Sequence, residues 1–99
     1  GNSRVQKFTS DGSFVAKWGS YGTEIGQFNY PLGIAADNAG YIFVVDNENA
    51  RIQKFSSSGI YVNTQLGEFS NPHGVASGSS GYIFITITGD DRVEVYKKR

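Results

Sequence analysis

The sequence predicts an all-β protein built from repeated units of four antiparallel strands. One complete unit covers residues 29–69, and parts of it recur on both sides. Downstream the offset is 41 residues, and it relates Pro31, Gly33 and Arg51 to Pro72, Gly74 and Arg92. Upstream the offset is 47 residues, and it relates the segment RVQKF to RIQKF. A period of about 40 to 45 residues with short apolar runs is typical of blade-type repeats, which stack on neighbouring units.

Composition agrees with many short strands and narrows the classes of partner. The chain has 13 glycines, two prolines and 14% aromatic residues, a pattern that favours turns and strands over long helices. Nine basic and nine acidic residues cancel, so no global field recruits nucleic acid or an anionic membrane. There is no cysteine, which excludes disulfides and thiolate metal sites. No apolar run approaches the roughly 20 residues of a membrane span. We therefore expect neither a nucleic acid nor a membrane as partner.

With the strands of a unit labelled a to d, residues 1–28 are interpreted as strands c and d of a partial blade. The strands are expected at residues 4–9 and 14–18, joined as a hairpin by a turn that contains Gly12. Residues 19–28 carry three glycines and are predicted to form a loop.

An aromatic residue ends this loop and its counterpart in the next unit. Phe28 closes the first loop, and Phe69 stands at the same place before the third unit. We interpret both side chains as apolar plugs between blades.

Residues 29–69 are predicted to form the complete blade. Its four strands are expected at residues 32–36, 41–45, 51–55 and 61–64. Residues 41–45 are almost continuously apolar, which is typical of a strand covered on both faces. The side chains expected to be buried between sheets are Ile34, Ile42, Val44, Ile52, Phe55 and Val62.

Residues 70–99 are predicted to add strands a, b and c of a third unit. The strands are expected at residues 74–76, 82–86 and 92–96. The chain thus has nine predicted strands in groups of two, four and three, which is two full periods and one additional strand c.

The segment PLGIAADNAGYIFVVDNENARIQKF resembles the NHL repeat, a β-propeller blade. The resemblance rests on a proline and a glycine ahead of strand a, an aspartate after strand b and an Asn-x-Arg before strand c. It implies a propeller, most often with six blades, whose faces and central channel carry binding surfaces. The third unit departs from the motif, because Ile87 and Asp90 stand where the middle unit has Asp46 and Asn49.

The polar residues of the motif are predicted to form a structural turn network. Aspartate and asparagine side chains bond turn amides, and an arginine pairs with the aspartate across the turn. The residues assigned to this network are Asp46, Asn49 and Arg51, with Asn2, Arg4 and Arg92 as equivalents.

A second group of residues is considered for contacts at the channel or on a face. His73 lies in the segment NPHGV, and some propeller enzymes that resemble this family use a histidine at a similar place for metal binding or acid–base chemistry. One histidine does not make a metal site within one chain, and a turn histidine is the favoured interpretation. Trp18, Tyr21 and Tyr30 border the long loop and are candidates for stacking on a ligand or for packing between blades. No catalytic residue, metal or cofactor is predicted.

Three functional classes follow. The favoured one is a non-enzymatic scaffold or binding module for a protein, peptide or glycan ligand. The alternatives are part of a propeller enzyme of lyase or lactonase type with an axial metal, and an RNA-binding NHL domain. The RNA alternative rests on basic residues that recur in strand c, namely Arg4, Lys7, Arg51, Lys54, Arg92 and Lys97.

Finally, the sequence predicts self-assembly into a closed ring. Two blades alone would expose apolar faces, and three chains with two periods each would supply the six blades that the resemblance favours. The seam blade would combine strands a and b of one chain with strand d of the next, a strand exchange in a head-to-tail homotrimer. Strand c would be present twice at that seam, and the N-terminal copy is expected to stay.

Overall fold

The computed structural model describes residues 3–8, 10–65, 71–78, 81–87 and 92–97, and all regular structure within them is β. The strands are β1 (Val5–Phe8), β2 (Phe14–Trp18), β3 (Ser20–Tyr21), β4 (Gln27–Phe28), β5 (Pro31–Ala36), β6 (Ile42–Asp46), β7 (Arg51–Phe55), β8 (Tyr61–Gln65), β9 (Pro72–Ser77), β10 (Tyr82–Ile87) and β11 (Arg92–Lys97). The all-β class predicted from the sequence is confirmed. In this part of the chain no helix is present that could cross a membrane.

The strands form four sheets. The largest, called here the middle sheet, has the order β5-β6-β7-β8 with every pair antiparallel. Strands β1 and β2 form a hairpin, and β9, β10 and β11 form a three-stranded antiparallel sheet. In the three antiparallel sheets consecutive strands pair with each other. Glycines at positive φ lie in several of the turns, such as Gly12 and Gly59 at +93°.

The middle sheet is packed on both faces. Strand β6 alternates its side chains, so Phe43 and Val45 point to one face and Val44 to the other. Phe43, Val45 and Ile52 pack with Ile83, Ile85 and Ile87 of the three-stranded sheet. On the opposite face, Val44 and Phe55 pack with Val5 and Phe28, and Trp18 borders this cluster. Three layers of sheet therefore stack on one another, as blades of a propeller do.

The repeat in sequence is also a repeat in backbone conformation. Ala50 has a φ of +54° and Ser3, 47 residues earlier, a φ of +39°. Tyr30 and Asn71, 41 residues apart and each followed by proline, both have a φ of +61°. Left-handed backbone at non-glycine residues is uncommon, so its recurrence at these offsets shows that the units share one fold.

The predicted loop at residues 19–28 is only partly irregular. Strands β3 and β4 lie within it and pair in parallel, Ser20 with Gln27 and Tyr21 with Phe28. The prediction of a pure loop was therefore wrong here. The pairing closes the glycine-rich turn on itself, since the Gly22 amide also donates to the Phe28 carbonyl at 3.1 Å.

The burial prediction was right for the centre of the middle sheet and wrong at its edges. Val44, Ile52 and Phe55 are buried, whereas Ile42 is half-buried. Ile34 is 56% exposed because the β1–β2 hairpin covers β6 and β7 but leaves β5 open. Val62 is 40% exposed because it lies at a β-bulge, where the pairing steps from Lys54↔Asn63 to Phe55↔Tyr61.

Candidate functional site

The Asp46 carboxylate is the centre of the main polar cluster. It ends β6 and is fully buried. Its Oδ2 atom accepts from Arg51 Nε at 2.7 Å and from Asn49 Nδ2 at 2.9 Å. Its Oδ1 atom accepts from the backbone N–H of Asn29 at 2.6 Å. A buried carboxylate is stable only when it is paired and hydrogen-bonded, and these contacts meet that condition.

Arg51 carries the cluster outward to the segment that precedes β5. This segment, residues 22–29, is called the connector. Arg51 Nη1 donates to the Thr23 carbonyl at 2.9 Å, and Nη2 donates to the carbonyls of Glu24 at 2.9 Å and Gln27 at 2.8 Å. The planar guanidinium thus binds the backbone of a turn, while its Nε remains on the carboxylate.

Two amide side chains complete the capture of the connector. Gln53 Oε1 accepts from the Gly26 N–H at 2.9 Å, and Gln53 Nε2 donates to the Gln27 carbonyl at 2.7 Å. Asn49 Nδ2 donates to the Gly22 carbonyl at 2.9 Å. All these contacts go to backbone atoms of the connector, so the connector's conformation is recognised rather than its side chains.

One connector side chain, Phe28, is fully buried. Its ring meets Phe55 edge-on with 5.7 Å between centroids, and Phe55 in turn meets Tyr61 at 6.0 Å and Trp18 at 5.7 Å. Edge-to-face aromatic pairs of this kind add to the stabilisation from burial. The structure therefore places Trp18 between the β1–β2 hairpin and the middle sheet.

Asn47 links the middle sheet to the next one. Its Nδ2 atom donates to the Pro72 carbonyl at 2.8 Å and to Asn71 Oδ1 at 3.0 Å, at the start of β9. Neither Asn47 nor Gln53 was predicted from the sequence to hold a neighbouring segment. A signal was present for Gln53, because glutamine recurs at position 6 in RVQKF.

The third unit is bonded differently. Ile87 replaces the aspartate and is buried in the core between sheets. Arg92 instead pairs with Glu94, which stands where the middle unit has Gln53. In the third unit the acidic partner of the arginine therefore lies on strand c, whereas in the middle unit it lies on strand b. The predicted residues Asp90 and Phe69 lie outside the described residues.

The first unit contains half of the network. Arg4 is exposed beside Gln6, whose amide, oriented with its oxygen toward the guanidinium, accepts from Arg4 Nε and Nη2. Among the described strands, β1 pairs with β2 alone, so no strand equivalent to β6 brings a carboxylate to this pair. Asn2 lies outside the described residues.

The other predicted contact residues do not join the cluster. His73 is exposed on β9, and Tyr21 and Tyr30 are 71% and 61% exposed. Within the described residues, no group of three or more His, Cys, Asp or Glu side chains is placed to hold a metal ion.

The basic residues of the middle strand c are engaged inside the fold. Arg51 is held by the connector, as described above. Lys54 is buried with its Nζ atom 4.4 Å from the ring centroid of Tyr41 and 5.6 Å from that of Phe43. These are cation–π contacts between strands. Both side chains are therefore engaged by contacts within the fold rather than displayed to solvent.

The arrangement as a whole is one of structural recognition. A carboxylate, a guanidinium and two amides hold a turn, and an aromatic residue next to that turn fills the space between two sheets. The polar side chains of the cluster bond to one another and to backbone groups of the connector.

Comparisons with known proteins agree with this architecture. A family model for the NHL repeat matches residues 28–55, from the buried connector phenylalanine to the end of β7. The B-box type zinc finger protein ncl-1 of Caenorhabditis elegans is 41% identical over 46 residues. The aligned region is 46% of this chain and 5% of the relative, so the chain spans a small part of that protein's length. The resemblance drawn from the sequence motif is confirmed for residues 28–55, which match the NHL repeat.

Proposed function

We propose that the chain is a non-enzymatic β-propeller binding module whose two outer sheets are covered by further blades in a closed ring. When the chain assembles with copies of itself alone, three copies supply six blades. The ring acts as a scaffold that presents its loops to a protein or peptide ligand.

The observation that carries this proposal is a set of matched positions that differ only in whether a further sheet covers them. Phe43 is fully buried, and its equivalent Phe84 in the last sheet is 41% exposed. Ile52 is fully buried, and its equivalent Val93 is 60% exposed. Apolar side chains at equivalent positions of the blade are therefore buried in the middle of the stack and exposed to solvent at its C-terminal end.

The exposed residues form two faces at opposite ends of the stack, one apolar and one with both polar and aromatic side chains. The C-terminal end face consists of Tyr82, Phe84, Val93 and Val95 on the outer side of β10 and β11. The N-terminal end face consists of Arg4, Gln6, Phe8 and Phe14 on the outer side of β1 and β2. Two different faces at opposite ends favour head-to-tail association, which closes into a ring when the rotation per chain permits.

The seam of such a ring has to accommodate two copies of strand c. If β1 joined strands a and b of the next chain, Arg4 would meet Ile87 instead of an aspartate. Strand β11 already has its own ion pair between Arg92 and Glu94. The two copies of strand c therefore bring different partners to the seam.

The mass in solution tests the proposal. Light scattering at micromolar concentration should give three times 10.8 kDa. The variant Phe84→Asp should lower the mass to that of one chain, because it places a charge in a covered apolar interface. Tyr21→Asp, at a position 71% exposed and outside both end faces, is the matched control and should leave the mass unchanged. A single-chain mass for the unmodified protein up to roughly 100 µM, an affinity range too weak for a stable ring, would reject closure by copies of this chain.

A further inference from the structure

The N-terminal end face repeats, position for position, the face of the middle sheet that captures the connector. In the middle sheet the capturing residues are Arg51, Gln53, Phe55 and Tyr61. At an offset of 47 the N-terminal end face has Arg4, Gln6, Phe8 and Phe14.

The correspondence extends to side-chain geometry. Phe55 and Tyr61 meet edge-on with 6.0 Å between centroids and 76° between ring planes. Phe8 and Phe14 meet at 5.8 Å and 75°. Both pairs follow a β-bulge at the same place in the hairpin, between Lys54 and Phe55 in one and between Lys7 and Phe8 in the other. The two faces are therefore built to the same plan.

The two faces differ in what covers them. Phe55 is 1% exposed because Phe28 of the connector and Trp18 lie on it. Phe8 is 51% exposed and Phe14 is 56% exposed. Arg4 and Gln6 are exposed as well, and they contact each other.

We propose that the N-terminal end face binds a Gly-x-Phe segment of a partner polypeptide. The middle sheet defines the chemistry of this occupant. Gln53 bonds the N–H of Gly26 and the carbonyl of Gln27, and Arg51 bonds the same carbonyl. The Phe55 ring packs against Phe28. On the N-terminal end face Gln6 and Arg4 form hydrogen bonds with the backbone of the segment. The phenylalanine ring of the segment packs against the ring of Phe8.

Glycine in this segment has a conformational reason. Gly26 has a φ of +81°, a left-handed conformation that other residues adopt at a cost. The segment binds more weakly than the covalently tethered connector for two reasons. Gln6 must turn from Arg4 to the ligand, and among the described residues no carboxylate equivalent to Asp46 orients the guanidinium. This inference deepens the proposed function and rests on it in one respect, since the binding face is also a ring-closing face.

The test is a titration of the full chain with a capped peptide of residues 22–29, followed by heteronuclear NMR. Saturable binding below about 1 mM is expected, with shifts concentrated at Arg4, Gln6 and Phe8. A peptide with Phe28→Ala should bind at least tenfold more weakly, and so should the native peptide to the chain variant Phe8→Ala. The variant Ile60→Ala, at an exposed turn residue of the middle sheet, should stay within twofold of the unmodified chain.

The same samples separate this inference from ring closure. A single-chain mass together with peptide binding would refute closure by copies and leave the inference standing. If the chain forms a trimer, saturating peptide should lower the mass, and Phe8→Ala should lower it as well. An assembly that neither the peptide nor Phe8→Ala changes would overturn the inference and leave ring closure intact. In a single-chain sample, equal affinity of the two peptides, or no saturable binding up to about 1 mM, would overturn it too.

Discussion

Asp46 Oδ2 accepts a 2.7 Å hydrogen bond from Arg51 Nε directly across the β6–β7 ladder, and the same guanidinium holds three carbonyls of the connector. The carboxylate therefore fixes an arginine that in turn fixes the chain segment joining one sheet to the next.

Replacing this carboxylate with its neutral isostere should be costly. In Asp46→Asn only one side-chain oxygen remains to accept the hydrogen bonds that two oxygens now accept. The substitution also removes the negative charge that is paired with Arg51. We expect the free energy of unfolding to fall by roughly 3 kcal/mol, as measured by urea denaturation. Glu48→Gln, an exposed charge removal in the same turn, is the control and should change the stability by less than about 0.5 kcal/mol. Equal effects of the two variants would contradict the role given to Asp46.

Truncation of Phe55 should be among the most destabilising changes in the middle sheet. The side chain is 1% exposed and contacts three other aromatic rings. We expect Phe55→Ala to lower the free energy of unfolding by about 3 to 5 kcal/mol. A loss below about 1 kcal/mol would show that β7 is not packed between two layers.

Two turn glycines offer a matched pair of substitutions. Gly12 and Gly59 close equivalent hairpins with the same φ of +93°. A Cβ at Gly59 would lie 2.5 Å from Cε3 of Trp18, whereas nothing lies within 4 Å of a Cβ at Gly12. Gly12→Ala should therefore cost about 1 to 2 kcal/mol from backbone strain alone. Gly59→Ala should cost about 1 to 3 kcal/mol more because of the clash. Thermal or urea unfolding of both variants gives the difference directly, and similar values would place Trp18 elsewhere.

The protein should not retain a tightly bound metal at His73. The side chain is exposed, and the segment around it, Asn-Pro-His-Gly, offers no carboxylate or second histidine. Elemental analysis after dialysis should find less than about 0.1 equivalent of zinc or calcium, a level at which a stoichiometric structural site is absent. Stoichiometric metal that disappears in His73→Ala would contradict this expectation.

The strand order and the stacking of sheets were predictable because they follow from local patterns. Alternating and continuous apolar runs mark strands, and glycine pairs mark hairpin turns. The proximity of Asp46 and Arg51 also follows from the sequence, since the two residues flank one short turn. The capture of the connector was not predictable in this way. Its acceptors are backbone carbonyls, which carry no sequence signature, so the role of Gln53 emerged only from the structure.

The burial predictions were wrong at positions where a neighbouring part of the fold determines whether a side chain is covered. Ile34 lies in a strand whose periodicity is that of a core strand, but it lines an open groove of about 260 Å³ beside β1. Val62 has the right residue type for a core position, but a bulge turns it outward. Periodicity gives the face of a strand on which a residue lies, and it cannot give what covers that face.

The position of Trp18 provides the protein with an intrinsic optical reporter. It is the chain's single tryptophan, and its ring lies on Phe55 and above Gly59, between the first hairpin and the middle sheet. Its emission spectrum therefore depends on whether these two layers are in contact, while far-ultraviolet circular dichroism follows strand content throughout the chain. When fluorescence and dichroism change at the same denaturant concentration, the layers separate in the same cooperative step as the strands unfold. When fluorescence changes first, the hairpin detaches as a unit of its own, and the light emitted by one residue measures the strength of the junction between two blades.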